Sequence, residues 1–238
     1  MNQLHIVMNG KGGIGKSIVA FNIAQFLKSI DPDSICIDTD PLTPTLVNYK
    51  ALDPIHIQIA SETEVILTRF DEMIEIIIAR DNNVVIDTGA STFLPIAKYL
   101  QKNFIFKVLH EEYEKDVFIH VVLNAQTQND YLATTSSLEI IAENFAGACK
   151  IVIWLNEFGG DLEPFLSSDY YERNKDRFFA IIRIRNPDEM LLGDIKSMLQ
   201  TFQLYDEVLK DSSRYVMARS RIKKQRDSIY RQLEPFIV

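Results

Sequence analysis

Cysteine is almost absent: Cys36 and Cys149 are the only two in 238 residues. They stand far apart in apolar stretches, so the chain has no disulfide framework and no set of thiolates to hold a zinc ion or an iron–sulfur cluster. Both read as reduced, packed thiols, as expected of a reducing compartment. The four histidines, His5, His56, His110 and His120, show no metal-ligand spacing, and His5 and His120 sit in apolar runs as packed or edge residues. Long apolar runs are lacking too, with none near the roughly 18 residues a spanning helix needs. The opening MNQLHIVMNG has neither the basic nor the long apolar region of a secretory signal. A cytoplasmic location is the expectation. Proline and glycine, at 8 and 9 residues, are too few for a collagen-like or low-complexity chain.

Apolar residues, by contrast, make up 47% and charged residues 24%. A chain this long can bury about 70% of its surface, so no staple is needed. The formal charge is −8 but unevenly spread. Residues 211 to 238 hold seven basic and three acidic side chains, a net of +4, which leaves −12 on the first 210. Such a split allows a local polyanion site on a chain that would otherwise repel one.

Short β-rich runs alternate with helical spacing. Strands are expected at 4–8, 34–38, 56–59, 84–87, 104–109, 117–123, 150–155 and 178–184, and helices at 16–29, 64–80, 93–101, 128–145 and 163–175. This alternation reads as βαβ units, hence an α/β fold with a mostly parallel sheet covered by helices on both faces. The tail from Asp188 reads as wholly helical, with Ile222, Ile229, Leu233 and Phe236 on one face. One domain over 1–238, with 188–238 as its helical C-terminal part, is the expected organisation.

Four of the nine glycines fall at Gly10, Gly12, Gly13 and Gly15, between the first strand and the first helix. The octapeptide GKGGIGKS, Gly10 to Ser17, fits GxxxxGK[ST] at every fixed position and in the setting that motif requires. Glycines let the backbone curl so that N–H groups from Gly12, Gly13, Ile14 and Gly15 through to Ile18 point at phosphates, beside the positive end of a helix. Lys16 would reach the β and γ phosphates, and Ser17 would offer its hydroxyl to Mg²⁺. Val84 to Asp87 is an apolar strand ending in an acid, suited to hold that Mg²⁺ through a water, with Gly89 letting the next loop approach the γ phosphate. Cys36 to Pro41, CIDTDP, sends Asp38 and Asp40 toward the same end of the sheet, where α/β ligands bind; two carboxylates that cap a turn before Pro41 would give the same pattern.

Lysine at the second position of the loop makes KGGIGKS resemble the deviant Walker A motif of the ParA/MinD family, which are P-loop ATPases. The resemblance implies that Lys11 reaches the nucleotide of a second subunit across a face-to-face, ATP-dependent homodimer. It also implies that Asp40 orients the attacking water, that Asp38 supports the magnesium shell, and that Asn156 and Pro187 flank adenine. ATP and Mg²⁺ are the expected cofactors and slow, partner-stimulated hydrolysis the expected activity. Within the family the chain looks like the conjugal-transfer TraL branch. The residues that carry this are CIDTDP with Tyr-Lys-Ala-Leu at 49–52, IDTGAS with FLPIAKYL at 93–100, IWLNEF at 153–158 and MARSRIKKQR at 217–226. Ile18 and Leu42 depart from the family pattern, where Thr and Gln are usual.

A switch in plasmid transfer or positioning, with a conjugation or plasmid-partner protein, is what this resemblance implies. A synthetase-type P-loop enzyme, or a nucleotide-binding module without significant turnover, are the alternatives. Arg219, Arg221, Lys223, Lys224 and Arg226 are candidates for non-specific contacts to DNA phosphates, and equally read as an ordinary solvated helix face. An amphipathic membrane tail is not expected, since Arg226 interrupts the apolar face.

Overall fold

The computed structural model describes residues 2–60, 64–79 and 81–237. Strands β1 (Gln3–Val7), β2 (Ile35–Asp38), β3 (Ile55–His56), β4 (Val84–Asp87), β5 (Asp116–Asn124), β6 (Lys150–Asn156) and β7 (Phe178–Ile184) form one sheet in the order β3-β2-β4-β1-β5-β6-β7. Every pairing is parallel. The helices are α1 (Lys16–Ile30), α2 (Leu67–Ile78), α3 (Phe93–Lys102), α4 (Ile105–Tyr113), α5 (Gln128–Phe145), α6 (Glu163–Leu166), α7 (Asp169–Asn174), α8 (Glu189–Gln200), α9 (Tyr205–Lys210) and α10 (Val216–Leu233).

Strand periodicity divides the core in two. Leu4, Ile6 and Met8 face the helices α2 to α5 with Ile119, Val121, Ile151 and Ile153. Val7, Val85, Phe118, Val152 and Trp154 face α1 and α8 to α10. Strands buried on both faces read as continuous apolar runs, which is why β1, β4, β5 and β6 are legible in the sequence.

Four local expectations are corrected. Residues 104–109 form no strand: Ile105, Phe106 and Leu109 are buried at helical spacing as the first turns of α4. An apolar run that short fits either structure. Phe104, at φ 52°, makes the break from α3. The expected helix at 163–175 restarts at Ser168, whose hydroxyl accepts from the Tyr171 N–H as an N-cap. Pairing at 56–59 shrinks to the two residues of β3. The helix expected over 64–80 occupies Leu67–Ile78, and Arg80 lies outside the described residues.

The tail is helical in three pieces rather than one. Asp188 caps α8 through the Leu191 N–H, and α10 lies beside α8, α9, α1 and β7. Gln232 of α10 accepts from the Arg183 N–H at 2.8 Å and donates to the Arg183 carbonyl at 3.2 Å, so a side-chain amide stands in for a neighbouring strand at the β7 edge. Among the described residues, no helix is long and apolar enough to cross a membrane. Cys36 and Cys149 are free thiols, each pushed up to about 12 by burial.

Candidate nucleotide site

The C-terminal ends of β1, β2, β4, β5 and β6 converge on the loop that joins β1 to α1. Asn9 anchors its start: the buried amide donates to the Val122 carbonyl, and the side-chain oxygen accepts from the Lys11 N–H. The Gly10 N–H donates to Ser137 Oγ on α5. Gly13 and Gly15 take φ 76° and 99°, which glycine adopts without a Cβ penalty. Gly15 is the N-cap of α1, so the loop ends where the helix presents its unpaired N–H groups. Gly12 is exposed and Ile14 buried.

Lys16 is buried, and its ammonium donates to the Lys11 carbonyl at 2.8 Å. Burial lowers its pKa, while Asp87 and Asp40 oppose the shift. Asp87, at the end of β4, is 1% exposed, and among the described residues neither of its carboxylate oxygens accepts a well-formed hydrogen bond. Burial first, then the charges of Asp38 and Asp40, push its pKa up to about 7, against the Ser17 hydroxyl and Lys16. A buried carboxylate whose oxygens are so poorly satisfied costs free energy unless something compensates it. A divalent cation beside Ser17 would do so. Among the described residues no group of three or more His, Cys, Asp or Glu side chains is placed to hold a metal. Mg²⁺ keeps several waters and takes one or two carboxylates plus substrate phosphates.

Asp38 is fully buried and accepts from the Asp40 and Leu46 N–H groups, at 3.1 and 2.8 Å. Asp40 caps its own turn: its carboxylate accepts from the Leu42 and Thr43 N–H groups and from the Thr43 hydroxyl. The turn-capping arrangement is therefore present at both carboxylates. A Cβ on Gly89 would lie 3.1 Å from Asp40 Cγ, so the loop after β4 rests on the loop after β2. Lys11 forms an ion pair with Asp130 in the first turn of α5, at 3.1 Å.

A cleft of about 300 Å³ continues from Gly13, Gly15 and Ile18 between the loop and the C-terminal helices. Both Asn156 and Pro187 line it. Asn156 also ties the loop down, donating to the Ile14 carbonyl at 2.8 Å and accepting from the Phe158 N–H at 3.3 Å. The basic candidates on α10 lie elsewhere and are largely neutralised. Arg221 pairs with Asp194, Lys223 with Asp227, and Arg226 with Asp206 and Asp227. Arg219 donates to the Leu209 carbonyl, and Lys224 is exposed.

Sequence reasoning missed Asn9, Ser137 and Asp130. Asn9, a polar residue ending an apolar strand, left a signal; the other two lie more than a hundred positions from the loop they touch.

A parallel sheet with a phosphate loop at its C-terminal edge defines a P-loop nucleotide-binding domain. The model of the CobQ/CobB/MinD/ParA nucleotide binding domain matches residues 5–233, and the chain belongs to that family. Two TraL proteins of Escherichia coli are each 36% identical to it over 239 aligned positions, covering 98% of both chains. Among solved structures, the MinC:MinD cell division protein complex of Aquifex aeolicus matches with a TM-score of 0.52 at 13% identity, covering 98% of this chain and 96% of that one. A putative plasmid partition protein of Borrelia burgdorferi bound to AMPPNP gives 0.52 at 13% identity, covering 94% and 98%.

Proposed function

We propose that the chain is an ATPase switch that binds ATP with Mg²⁺, pairs face to face with a second copy, and hydrolyses ATP slowly. Its setting would be the cytoplasm, in conjugative plasmid transfer or plasmid positioning. The observation that carries this reading is Asp87, a buried acid with only the Ser17 hydroxyl and the Lys16 charge to offset it, at the mouth of a glycine loop. The AMPPNP in the partition-protein neighbour and the similarity to TraL support the nucleotide and the setting.

The chain's own residues would act by position and charge. Loop N–H groups would cradle the phosphates, and Lys16 would turn from the Lys11 carbonyl to the β and γ oxygens. Ser17 and Asp87, backed by Asp38, would hold Mg²⁺, which when bound supplies neutralisation of phosphate charge. Asp40 would orient water once released from its turn, and Lys11 would have to leave Asp130 to reach a second subunit. Leu42, Leu94 and Leu132, all more than half exposed, lie beside the three segments that border the loop and suit an apolar interface there.

The test is calorimetric titration of Mg·ATP with Lys16→Ala, where binding is expected to vanish. Light scattering of Asp40→Ala with Mg·ATP should give a dimer, and with Mg·ADP a monomer, while Lys11→Ala stays monomeric in both. Undiminished ATP affinity in Lys16→Ala refutes the site, and a mass indifferent to nucleotide refutes the switch.

A further inference from the structure

The cleft beyond the phosphate loop is mostly apolar, so a flat base entering it would be selected by the few polar groups left free. Three of the five side-chain amides that line it are wholly or partly engaged. Asn156 is bonded at both ends to the loop backbone. Asn22 donates to the Ile18 carbonyl and accepts from the Tyr205 hydroxyl. Asn124 accepts from the Gln126 N–H through Oδ1, and Gln126 itself, which also lines the cleft, is exposed where Gln225 is half-buried. Gln225 of α10 differs. It lines the cleft and is half-buried, and its amide has no hydrogen bond among the described residues. It lies three residues after Ile222 and four before Ile229, which are 0% and 1% exposed, so helical spacing puts it on the inward face of α10.

We infer that Gln225 reads the edge of the base and is a determinant of specificity for adenine. This rests on the proposed nucleotide reading and adds to it a reader on the C-terminal helix. A side-chain amide offers a donor and an acceptor side by side. Adenine presents a matching pair on both its edges, N6–H with N1 and N6–H with N7, whereas guanine presents N7 and O6, two acceptors, on one of them. An amide can therefore pair with adenine in either orientation of the base and with guanine in one. Asn156, with its amide committed to Ile14 and Phe158, acts on the loop instead. Arg185 and Lys196 line the same cleft but are exposed, with their charged heads free to stay in water.

The experiment is titration of the full chain with Mg·ATP, Mg·GTP and inorganic tripolyphosphate, using wild type, Gln225→Leu and Gln225→Glu. Leucine fits an inward helix position, and unchanged thermal midpoints in the two variants confirm folding. The expected result is a roughly tenfold loss of ATP affinity in Gln225→Leu, with the ATP preference over GTP reduced and tripolyphosphate binding unchanged. Gln225→Glu, which keeps the acceptor and loses the donor, should fall between. Unchanged ATP affinity in Gln225→Leu, or wild-type binding of GTP as tight as ATP, overturns the inference alone. Failure of the wild type to bind any of the three overturns the nucleotide reading and the inference with it.

Discussion

Replacing Gly15 by alanine tests how the loop is held. Gly15 sits at φ 99°, ψ 20°, and an ideal Cβ there lies 2.8 Å from Asn156 Nδ2. Two costs follow. The left-handed backbone costs an L-residue about 1–2 kcal/mol. The contact also forces Asn156 to retreat from the Ile14 carbonyl, losing a hydrogen bond of about 1 kcal/mol. Gly147 is the control: its φ is 86° and a Cβ would meet nothing within 4 Å, so Gly147→Ala incurs the backbone cost alone. Urea unfolding without nucleotide should therefore place Gly15→Ala about 2–3 kcal/mol below wild type and about 1 kcal/mol below Gly147→Ala. Asn156→Ala should cost about 1 kcal/mol in the wild-type background and close to nothing in Gly15→Ala, a coupling of about 1 kcal/mol. Equal losses in the two glycine variants with zero coupling would refute the idea that Asn156 props the loop.

Other perturbations reach different parts of the molecule. Asp130→Ala frees Lys11 and is expected to lower the ATP concentration needed for dimer formation in light scattering; a higher requirement would contradict the ion pair as a restraint. A Cβ on Gly160 would lie 2.2 Å from the Ala125 carbonyl oxygen, so Gly160→Ala should lose more than about 2 kcal/mol in urea unfolding. Mildly acidic pH should weaken the fold through His5 and His120, both fully buried. Burial holds His5 at about 3 and His120 well below its ordinary value. With folded values under the unfolded 6.5, their contribution is complete above about pH 6.5 and is lost as pH falls toward 3. The loss between pH 7 and pH 5 is about 2 kcal/mol for His5, and His120 shifts stability in the same direction. His5→Gln should flatten that dependence by about one proton, and a slope equal to wild type in urea unfolding would rule the assignment out.

The phosphate loop, the acid-ended strand β4 and the parallel sheet were legible because each depends on residues close in sequence: glycine spacing, an apolar run with a terminal acid, and alternation of two periods. Phe104 to Leu109 misled because five apolar residues in a run of six satisfy a strand and a helix equally, and what decided between them was burial against β5 and α3, which spacing does not encode. Asn156 was singled out by the family resemblance, but its bond to the Ile14 carbonyl was not legible, since it joins residues 142 positions apart. The basic helix showed its charges in the sequence, but not their partners Asp194 and Asp206, which come from α8 and α9.

The histidines carry the same point to protons. Trp154 Nε1–H donates to His120 Nδ1 at 2.9 Å, so that nitrogen bears no hydrogen and the proton of neutral His120 must lie on Nε2. From there it points at His5 Nδ1, 2.9 Å away, which is left as the acceptor. His5 then carries its proton on Nε2 and donates to Gln3 Oε1, while Gln3 Nε2 donates to the Phe236 carbonyl just beyond α10. The donors all run one way, from β6 through β5 and β1 to the C-terminal segment. A second proton on His120 would set two N–H groups against each other at Trp154, and one on His5 would do the same at His120. The acid sensitivity expected of this fold thus follows from the direction of a hydrogen-bond chain as well as from burial, and a sequence reading that calls both histidines packed is right about their place and silent about that direction.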